Sequence, residues 1–208
     1  MLAVVVAGLV SACAQPRGDG PTRFSAAGGC ATTPAELPST TLRTSPEEPL
    51  EIAVDGSVSC LRDGRGDPRP ALKFDLAGLT LPLEVQITSI AQRSVTFAPT
   101  ADVLDVDART IARHPFERFT KRQTDYSLSV FLNAAGQPPA FLLLMPDDAW
   151  LGKQNRTISG ESYTFVWSTG AVMGTYTGGG ERNTVSTFSD VGRIRILVKP
   201  YRPATAGR

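Results

Sequence analysis

The chain has 208 residues, a formal net charge of +1 at pH 7 and 41% hydrophobic residues, which is an ordinary globular composition. One domain is the default for this length. The near-zero charge gives no reason to expect nucleic acid or an anionic membrane surface as a partner. The 19 glycines and 16 prolines suit a fold that is rich in turns.

The first residues have the pattern of an export signal. Residues 2–12 (LAVVVAGLVSA) are uncharged and mostly apolar, and they are too few to cross a bilayer, which needs about 20 residues. They fit the apolar region and the small-residue cleavage site of a secretory signal peptide. No Lys or Arg precedes Arg17, so the usual positive region is missing and we expect 1–12 to be an incomplete signal peptide.

A cysteine follows this segment directly. Val10-Ser11-Ala12-Cys13 resembles a bacterial lipobox, in which the cysteine becomes the lipidated first residue of the mature chain. The alternative is a signal peptide followed by an unrelated free cysteine. Because Ala14 and not Asp follows Cys13, the resemblance implies sorting to the outer membrane. We therefore predict a lipoprotein held at Cys13 by acyl chains such as palmitate on the periplasmic face of that membrane.

The cysteine count predicts one disulfide bond. The chain has three cysteines, and lipidation of Cys13 leaves Cys30 and Cys60. Two remaining cysteines of an exported chain usually pair in an oxidising compartment. The alternative, a metal site, lacks partners, because the sequence has no Cys-x-x-Cys pair and a single histidine, His114. We predict a Cys30–Cys60 disulfide, with no metal ion and no cofactor.

From Leu50 onward, short segments of alternating apolar and polar residues are separated by turn residues, a pattern typical of β-strands. The predicted strands cover 50–54, 71–76, 83–90, 95–99, 102–107, 110–114, 126–133, 140–145, 162–168 and 193–198. The segment 140–145 (AFLLLM) is continuously apolar, as in a strand buried on both faces. Only 146–154 (PDDAWLGKQ) is predicted as helix, because proline and carboxylates begin it and a lysine stands near its end.

These elements predict an all-β fold, an antiparallel β-sandwich, because no helices alternate with the strands as an α/β fold requires. Residues 13–29 are mostly small or polar and rich in glycine and proline, which favours a flexible N-terminal lipoprotein tether. The predicted organisation is a signal peptide at 1–12, the tether at 13–29, the sandwich at 30–202 and a tail at 203–208.

Part of the chain resembles the maltose operon periplasmic protein family. The shared pattern is the strand ALKFDLAG, the strand LEVQITSI and then VTFAPTADVLDVDARTIAR, in which Phe97-Ala98-Pro99 precedes Leu104-Asp105 and Arg113 follows. The resemblance covers about half of the chain, and the segments PAFLLLMPDDAW and GTYTGGGERNT lie outside it. It implies an exported β-rich protein with no established enzymatic activity, and it assigns no catalytic residues.

Few residues suit catalysis or metal binding. His114 lacks an accompanying G-x-S-x-G elbow, which favours an ordinary surface histidine. Asp147 and Asp148 would need a second carboxylate across a cleft to act as a glycosidase, and we favour the predicted helix start as their explanation. Asp105 and Asp107 share one side of a strand, as calcium ligands would, but Asp107-Ala108-Arg109 favours a hairpin turn.

Aromatic residues offer the best candidates for a binding site. Tyr163, Phe165 and Trp167 share one face of a predicted strand, which is typical of sugar-binding platforms and of sandwich cores, and we predict that they are core. Trp150 and Tyr176 fall outside the predicted strands, and the segment 174–184 (GTYTGGGERNT) around Tyr176 is predicted as a flexible loop. We therefore predict that Trp150 and Tyr176 carry any contact with a glycan.

These features predict a non-enzymatic periplasmic accessory or binding lipoprotein, with carbohydrate as the ligand class that the family resemblance suggests. The alternative is a structural lipoprotein subunit of an envelope or secretion assembly, and a hydrolase ranks third. The predicted partners are the membrane, through the lipid anchor, and a glycan or an envelope protein. Exposed aromatic residues beside polar ones would favour sugar, whereas a long unpaired edge strand or a large apolar patch would favour protein.

Overall fold

The structure, a computed structural model, describes residues 23–45, 47–92, 94–133, 136–168 and 173–201. Short 3-10 helices span Pro34–Glu36 and Phe116–Arg118. The strands in chain order are β1 (Ser39–Thr41), β2 (Leu50–Val54), β3 (Cys60–Arg62), β4 (Pro68–Pro70), β5 (Leu72–Asp75), β6 (Leu83–Ile90), β7 (Val95–Phe97), β8 (Pro99–Leu104), β9 (Thr110–His114), β10 (Thr120–Arg122), β11 (Asp125–Leu132), β12 (Phe141–Pro146), β13 (Gln154–Ser168), β14 (Met173–Ser189) and β15 (Gly192–Pro200).

Most strands belong to two five-stranded sheets, with strand orders β1-β5-β12-β8-β9 and β10-β11-β6-β15-β2. A third sheet has the order β13-β14-β7, and β3 pairs with β4. The predicted all-β fold of packed sheets is confirmed. Two parallel pairs, β1 with β5 and β7 with β14, are additional to the antiparallel arrangement.

The core lies between the two five-stranded sheets, and β6 shows how the sequence produces it. Alternate residues of LEVQITSI are buried, and Val85 lies opposite Val130 of β11 and Val198 of β15. Because side chains alternate across a strand, these three strands direct their apolar residues to one inner face. The opposite sheet contributes Phe74, Ala101, Val103, Leu142 and Leu144 to the same core.

Strand β12 is buried on both faces, as its continuous apolar sequence predicts. Leu142 and Leu144 lie in the central core, whereas Leu143 packs on the other face. The buried partners of Leu143 are Leu37, Ala71 and Leu104.

Each predicted strand has an observed counterpart, but the predicted helix at 146–154 is wrong. After β12 the chain makes a tight turn, in which the Trp150 N–H donates to the Asp147 carbonyl (2.9 Å). The Asp147 carboxylate accepts the N–H groups of Ala149 and Phe116 (3.1 and 2.9 Å). Aspartate favours such turns through bonds to nearby backbone, so the signal taken for a helix start belongs to a turn into β13.

The last part of the predicted tether packs on the sandwich. Phe24 is only 8% exposed, in a small cluster with Cys60 and Val191. Its N–H donates to the Asp190 carboxylate (3.0 Å), and the Ala27 N–H donates to the Gly56 carbonyl (3.2 Å). Phe24 and Ala27 of the predicted tether thus contact the sandwich through one buried ring and two hydrogen bonds. Cys13, the signal peptide at 1–12 and the tail at 203–208 lie outside the described residues.

The predicted Cys30–Cys60 disulfide is confirmed. It joins the N-terminal segment to β3. The next residue, Ala31, forms hydrogen bonds with the backbone of the same strand. The Ala31 N–H donates to the Cys60 carbonyl, and the Arg62 N–H donates to the Ala31 carbonyl, both at 2.9 Å. The disulfide and these hydrogen bonds hold the entry of the chain against the sandwich.

Candidate functional site

The two longest strands form a hairpin, β13–β14. They pair without a register shift from Gln154 opposite Thr187 to Ser168 opposite Met173. At about 3.4 Å per residue, each arm is about 48 Å long. β14 pairs with β7 only over Thr187–Ser189, so the rest of the hairpin has no third strand among the described residues. The loop predicted at 174–184 is wrong, because pairing with β13 makes this glycine-rich segment a strand.

The outer part of the hairpin, residues 162–168 and 173–179, carries an aromatic face. Tyr163, Phe165 and Trp167 alternate along β13 and therefore share a side, and Tyr176 lies directly opposite Phe165. All four rings are exposed, with Phe165 at 62%. The predicted core position of the β13 rings is wrong. Alternation determines which residues share a face, and no sheet formed by the described residues covers this one.

Two glycines let these rings lie across the neighbouring strand. Gly174 is opposite Trp167 and Gly178 is opposite Tyr163. A Cβ on Gly174 would lie 2.5 Å from Trp167 Cζ2, and one on Gly178 would lie 2.6 Å from Tyr163 Cζ. The backbone therefore covers one side of each ring and leaves the other open to solvent. We call Tyr163, Phe165, Trp167 and Tyr176 the aromatic platform.

The opposite face of the outer part is different. The hydroxyls of Thr164 and Thr177 lie 3.2 Å apart in a cross-strand hydrogen bond. Beyond them, Val166 is 57% exposed and Met173 is 76% exposed. The outer part contains no Asp, Glu, Lys, Arg or His. Its chemistry is therefore aromatic on one side, hydroxyl and aliphatic on the other, and uncharged on both.

Trp150 has quite different surroundings from Tyr176. Its half-buried ring makes edge contacts with Phe116 and Phe188, at 5.4 and 5.3 Å between ring centres. The Lys153 ammonium lies 4.9 Å from the centre of the same ring. Tyr176 lies eleven positions along β14 from Thr187, about 37 Å at the usual strand rise. The structure does not bring these two predicted ligand-binding residues together for one small ligand.

The candidate catalytic carboxylates have structural partners. Asp147 holds the turn before β13, and Asp148 forms an ion pair with Arg69 (3.0 Å). Asp105 is buried and accepts the Arg109 N–H (2.8 Å) in a turn where Ala108 has a φ of 58°. The hairpin turn predicted at Asp107-Ala108-Arg109 is confirmed, and in the structure it begins at Asp105.

His114 lies in β9, with Nδ1 3.4 Å from a guanidinium nitrogen of Arg118. Burial, and after it the Arg118 charge, lower the pKa of His114 below its ordinary value. The geometry gives no pairing of His114 with a serine or cysteine nucleophile among the described hydrogen bonds.

A charged cleft of about 670 Å³ lies at the root of the hairpin. Its charges largely satisfy one another, since Arg69 pairs with both Asp63 (3.2 Å) and Asp148 (3.0 Å). Asp190 accepts the Phe24 N–H. Arg23 also lines this cleft, which places the entry of the described chain beside the hairpin root.

Among the described residues, no helix is long and apolar enough to cross a membrane. The same residues contain no group of three or more His, Cys, Asp and Glu side chains placed to bind a metal ion.

Comparisons with protein-family models, curated proteins and solved structures found no match. Fold and site thus define a class, an all-β protein of packed sheets with an exposed aromatic hairpin. The resemblance to the maltose operon periplasmic protein family stays a prediction.

Proposed function

We propose that the protein is a non-enzymatic, lipid-anchored accessory protein of the cell envelope that binds carbohydrate on the aromatic platform. The observation that carries the proposal is the exposure of four aromatic rings on one uncharged hairpin face. A contiguous exposed apolar patch on a protein surface is typical of an interaction site, whereas single exposed apolar residues are not.

The arrangement of the rings favours a sugar over an ionic ligand. A pyranose presents a flat C–H surface that packs on an open aromatic face, and the glycines hold Trp167 and Tyr163 with one face open. An aromatic contact contributes about 0.5–1.5 kcal/mol beyond area burial. A few such contacts give weak binding, in the region of a millimolar Kd or about −4 kcal/mol. Such affinity suits an accessory protein that meets a polymer with many repeated units.

The proposed anchor is Cys13, supported by the lipobox resemblance of Val10-Ser11-Ala12-Cys13. A Cys13→Ala variant should be released as soluble protein or remain unprocessed. Membrane fractionation with mass measurement of the mature chain tests this. A variant that still fractionates with the outer membrane in processed form would contradict the lipid anchor.

Titration calorimetry against maltodextrins and peptidoglycan fragments tests the ligand class. Phe165→Ala and Tyr176→Ala should each weaken binding about threefold to tenfold, in line with one lost aromatic contact. Phe131→Ala is the matched control, because this ring is also exposed but lies on β11. Platform variants that bind like the wild type, or a wild-type protein that binds none of the glycans, would overturn the proposal.

A structural subunit of an envelope assembly is the second candidate function. The observation that favours it is that no other described strand pairs with either edge of the outer hairpin, and such an edge is a template for strand addition by a partner. Thr164→Pro would remove one backbone donor from β13. If partner binding is through strand addition, crosslinked complexes in detergent-solubilised membranes should be lost in this variant and retained in Phe165→Ala.

A further inference from the structure

The aromatic platform accounts for only one side of the outer hairpin. Val166 and Met173 are exposed on the opposite face, at the same end as Trp167. A glycan lying on the platform would leave both aliphatic side chains in water. An environment that covers apolar groups on two sides at once would remove both the rings and these aliphatic side chains from water.

The interfacial zone of a lipid bilayer is such an environment. Tryptophan and tyrosine concentrate there because their rings are apolar and their N–H and O–H groups stay hydrated. The outer hairpin offers Trp167, Tyr176 and Tyr163 for that zone, with Val166 and Met173 for the acyl boundary. The lack of charged residues in this part favours neutral lipid headgroups over anionic ones.

The proposed anchor places the hairpin within reach of the bilayer. Arg23 is ten positions after Cys13 in the sequence, so the chain between them spans at most about 36 Å. Arg23 and the hairpin root, at Gly152 and Phe188, line the same cleft. The hairpin arm of about 48 Å is longer than this gap. A hairpin directed towards the membrane therefore reaches the lipid surface with its outer part.

From these observations we infer that the carbohydrate bound is the neutral saccharide headgroup of a glycolipid, and that residues 162–168 and 173–179 of the hairpin meet it in the bilayer interface. The inference rests on the proposed function and names its ligand class. The platform packs on the sugar, while Val166 and Met173 on the opposite face enter the acyl boundary.

The test uses the full chain with Cys13→Ser, which removes the lipid anchor. Three probes are compared: phosphatidylcholine vesicles, the same vesicles with a diacyl lipid carrying maltohexaose, and free maltohexaose. Vesicle flotation and calorimetry report binding, and Trp fluorescence reports entry into lipid. Residues 2–12 are apolar too, but every variant contains them, so differences between variants report on the hairpin.

The decisive variant is Val166→Thr with Met173→Thr, which leaves all four platform rings in place. We expect glycolipid vesicles to bind at least about tenfold more tightly than plain vesicles, and the double variant to lose about tenfold, or about 1.4 kcal/mol. Its affinity for free maltohexaose should be unchanged. Val185→Thr is the matched control, since Val185 is exposed on the same face near the hairpin root.

The outcomes separate the inference from the function on which it rests. Equal binding to vesicles with and without the sugar lipid overturns the inference, and so does a double variant that binds glycolipid vesicles like the wild type. Binding of free maltohexaose without binding of glycolipid vesicles overturns the inference and leaves the proposed function standing. No binding to any saccharide probe overturns both.

Discussion

Strands β6 and β13 have similar sequence patterns and opposite surroundings. In β6, Val85 and Ile87 alternate with polar residues and are fully buried between two sheets. In β13, Tyr163 and Phe165 lie on either side of the polar Thr164 in the same way and are exposed. β6 has strands on both sides and a second sheet beneath it, whereas among the described strands outer β13 pairs with β14 alone. Alternation therefore specifies a shared face, and burial depends on what the rest of the chain places against it.

The largest expected effect is on stability, because removing a ring from the core beside β6 should cost far more than removing one from β13. Phe74→Ala, in the core that faces β6, should lower the free energy of unfolding by about 3–5 kcal/mol, because it leaves a cavity. Phe165→Ala should cost only about 0.2–1 kcal/mol, the value of one cross-strand pair. Urea unfolding followed by circular dichroism measures both. Equal losses would mean that the platform is packed like a core.

Removing the disulfide should cause the next largest loss of stability, and this loss should be confined to the sandwich. Cys30→Ser with Cys60→Ser removes a loop with a sequence separation of 30, and the loop-entropy model predicts a loss of about 3–4 kcal/mol. Saccharide affinity below the melting temperature should not change, because the outer hairpin is far from β3. A double-serine variant as stable as the wild type would contradict this assignment of stability to the disulfide.

The glycines of β14 allow a sharper test within the hairpin. Gly178→Ala would place a Cβ against the Tyr163 ring, which must then move off the backbone. We expect a loss of saccharide affinity of about threefold to tenfold, equivalent to one aromatic contact, with little change in unfolding. Gly179→Ala is the control, because Gly179 is opposite Ser162 on the other face. Equal binding by both variants would show that ring placement is irrelevant.

The smallest expected effect is on pH dependence: the stability of the sandwich should change with pH, whereas the saccharide affinity of the hairpin should not. Because burial lowers the pKa of His114, the folded state resists its protonation and stability falls as the pH drops below the ordinary histidine value of about 6.5. The melting temperature of the His114→Gln variant should fall less than that of the wild type between about pH 7 and about pH 5. Saccharide affinity should stay constant over that range, because the outer hairpin has no carboxylate or histidine.

Local sequence patterns predict the strands of the two main sheets well, but they do not predict β14 or the packing of Phe24. Segment 83–90 coincides with β6, because apolar and polar residues alternate throughout it, and 110–114 coincides with β9 although its alternation is weak. β14 was missed, since glycines opposite aromatic rings look like a loop until the partner strand is known. Phe24 was missed in the same way, because one apolar residue in a polar segment has no periodicity. Both depend on contacts distant in sequence.

The sequence predicts which aromatic residues of the candidate site lie together, but it does not predict that they are exposed. The sequence pattern put Tyr163, Phe165 and Trp167 on one face, and that grouping is correct. Their burial was predicted from the usual surroundings of such strands, which a projecting hairpin does not have. Trp150 was chosen for its position outside the strands, yet a loop ring can pack against a core, as it does on Phe116 and Phe188.

Quenching of Trp167 fluorescence tests the central claim most directly. Trp150→Phe leaves Trp167 as the single tryptophan, since the chain has two. The account predicts red-shifted emission that acrylamide quenches freely, and protection from quenching when saccharide is added. Emission that is blue-shifted and protected without saccharide would show a buried ring, and free quenching at every saccharide concentration would show that the platform is not the binding surface.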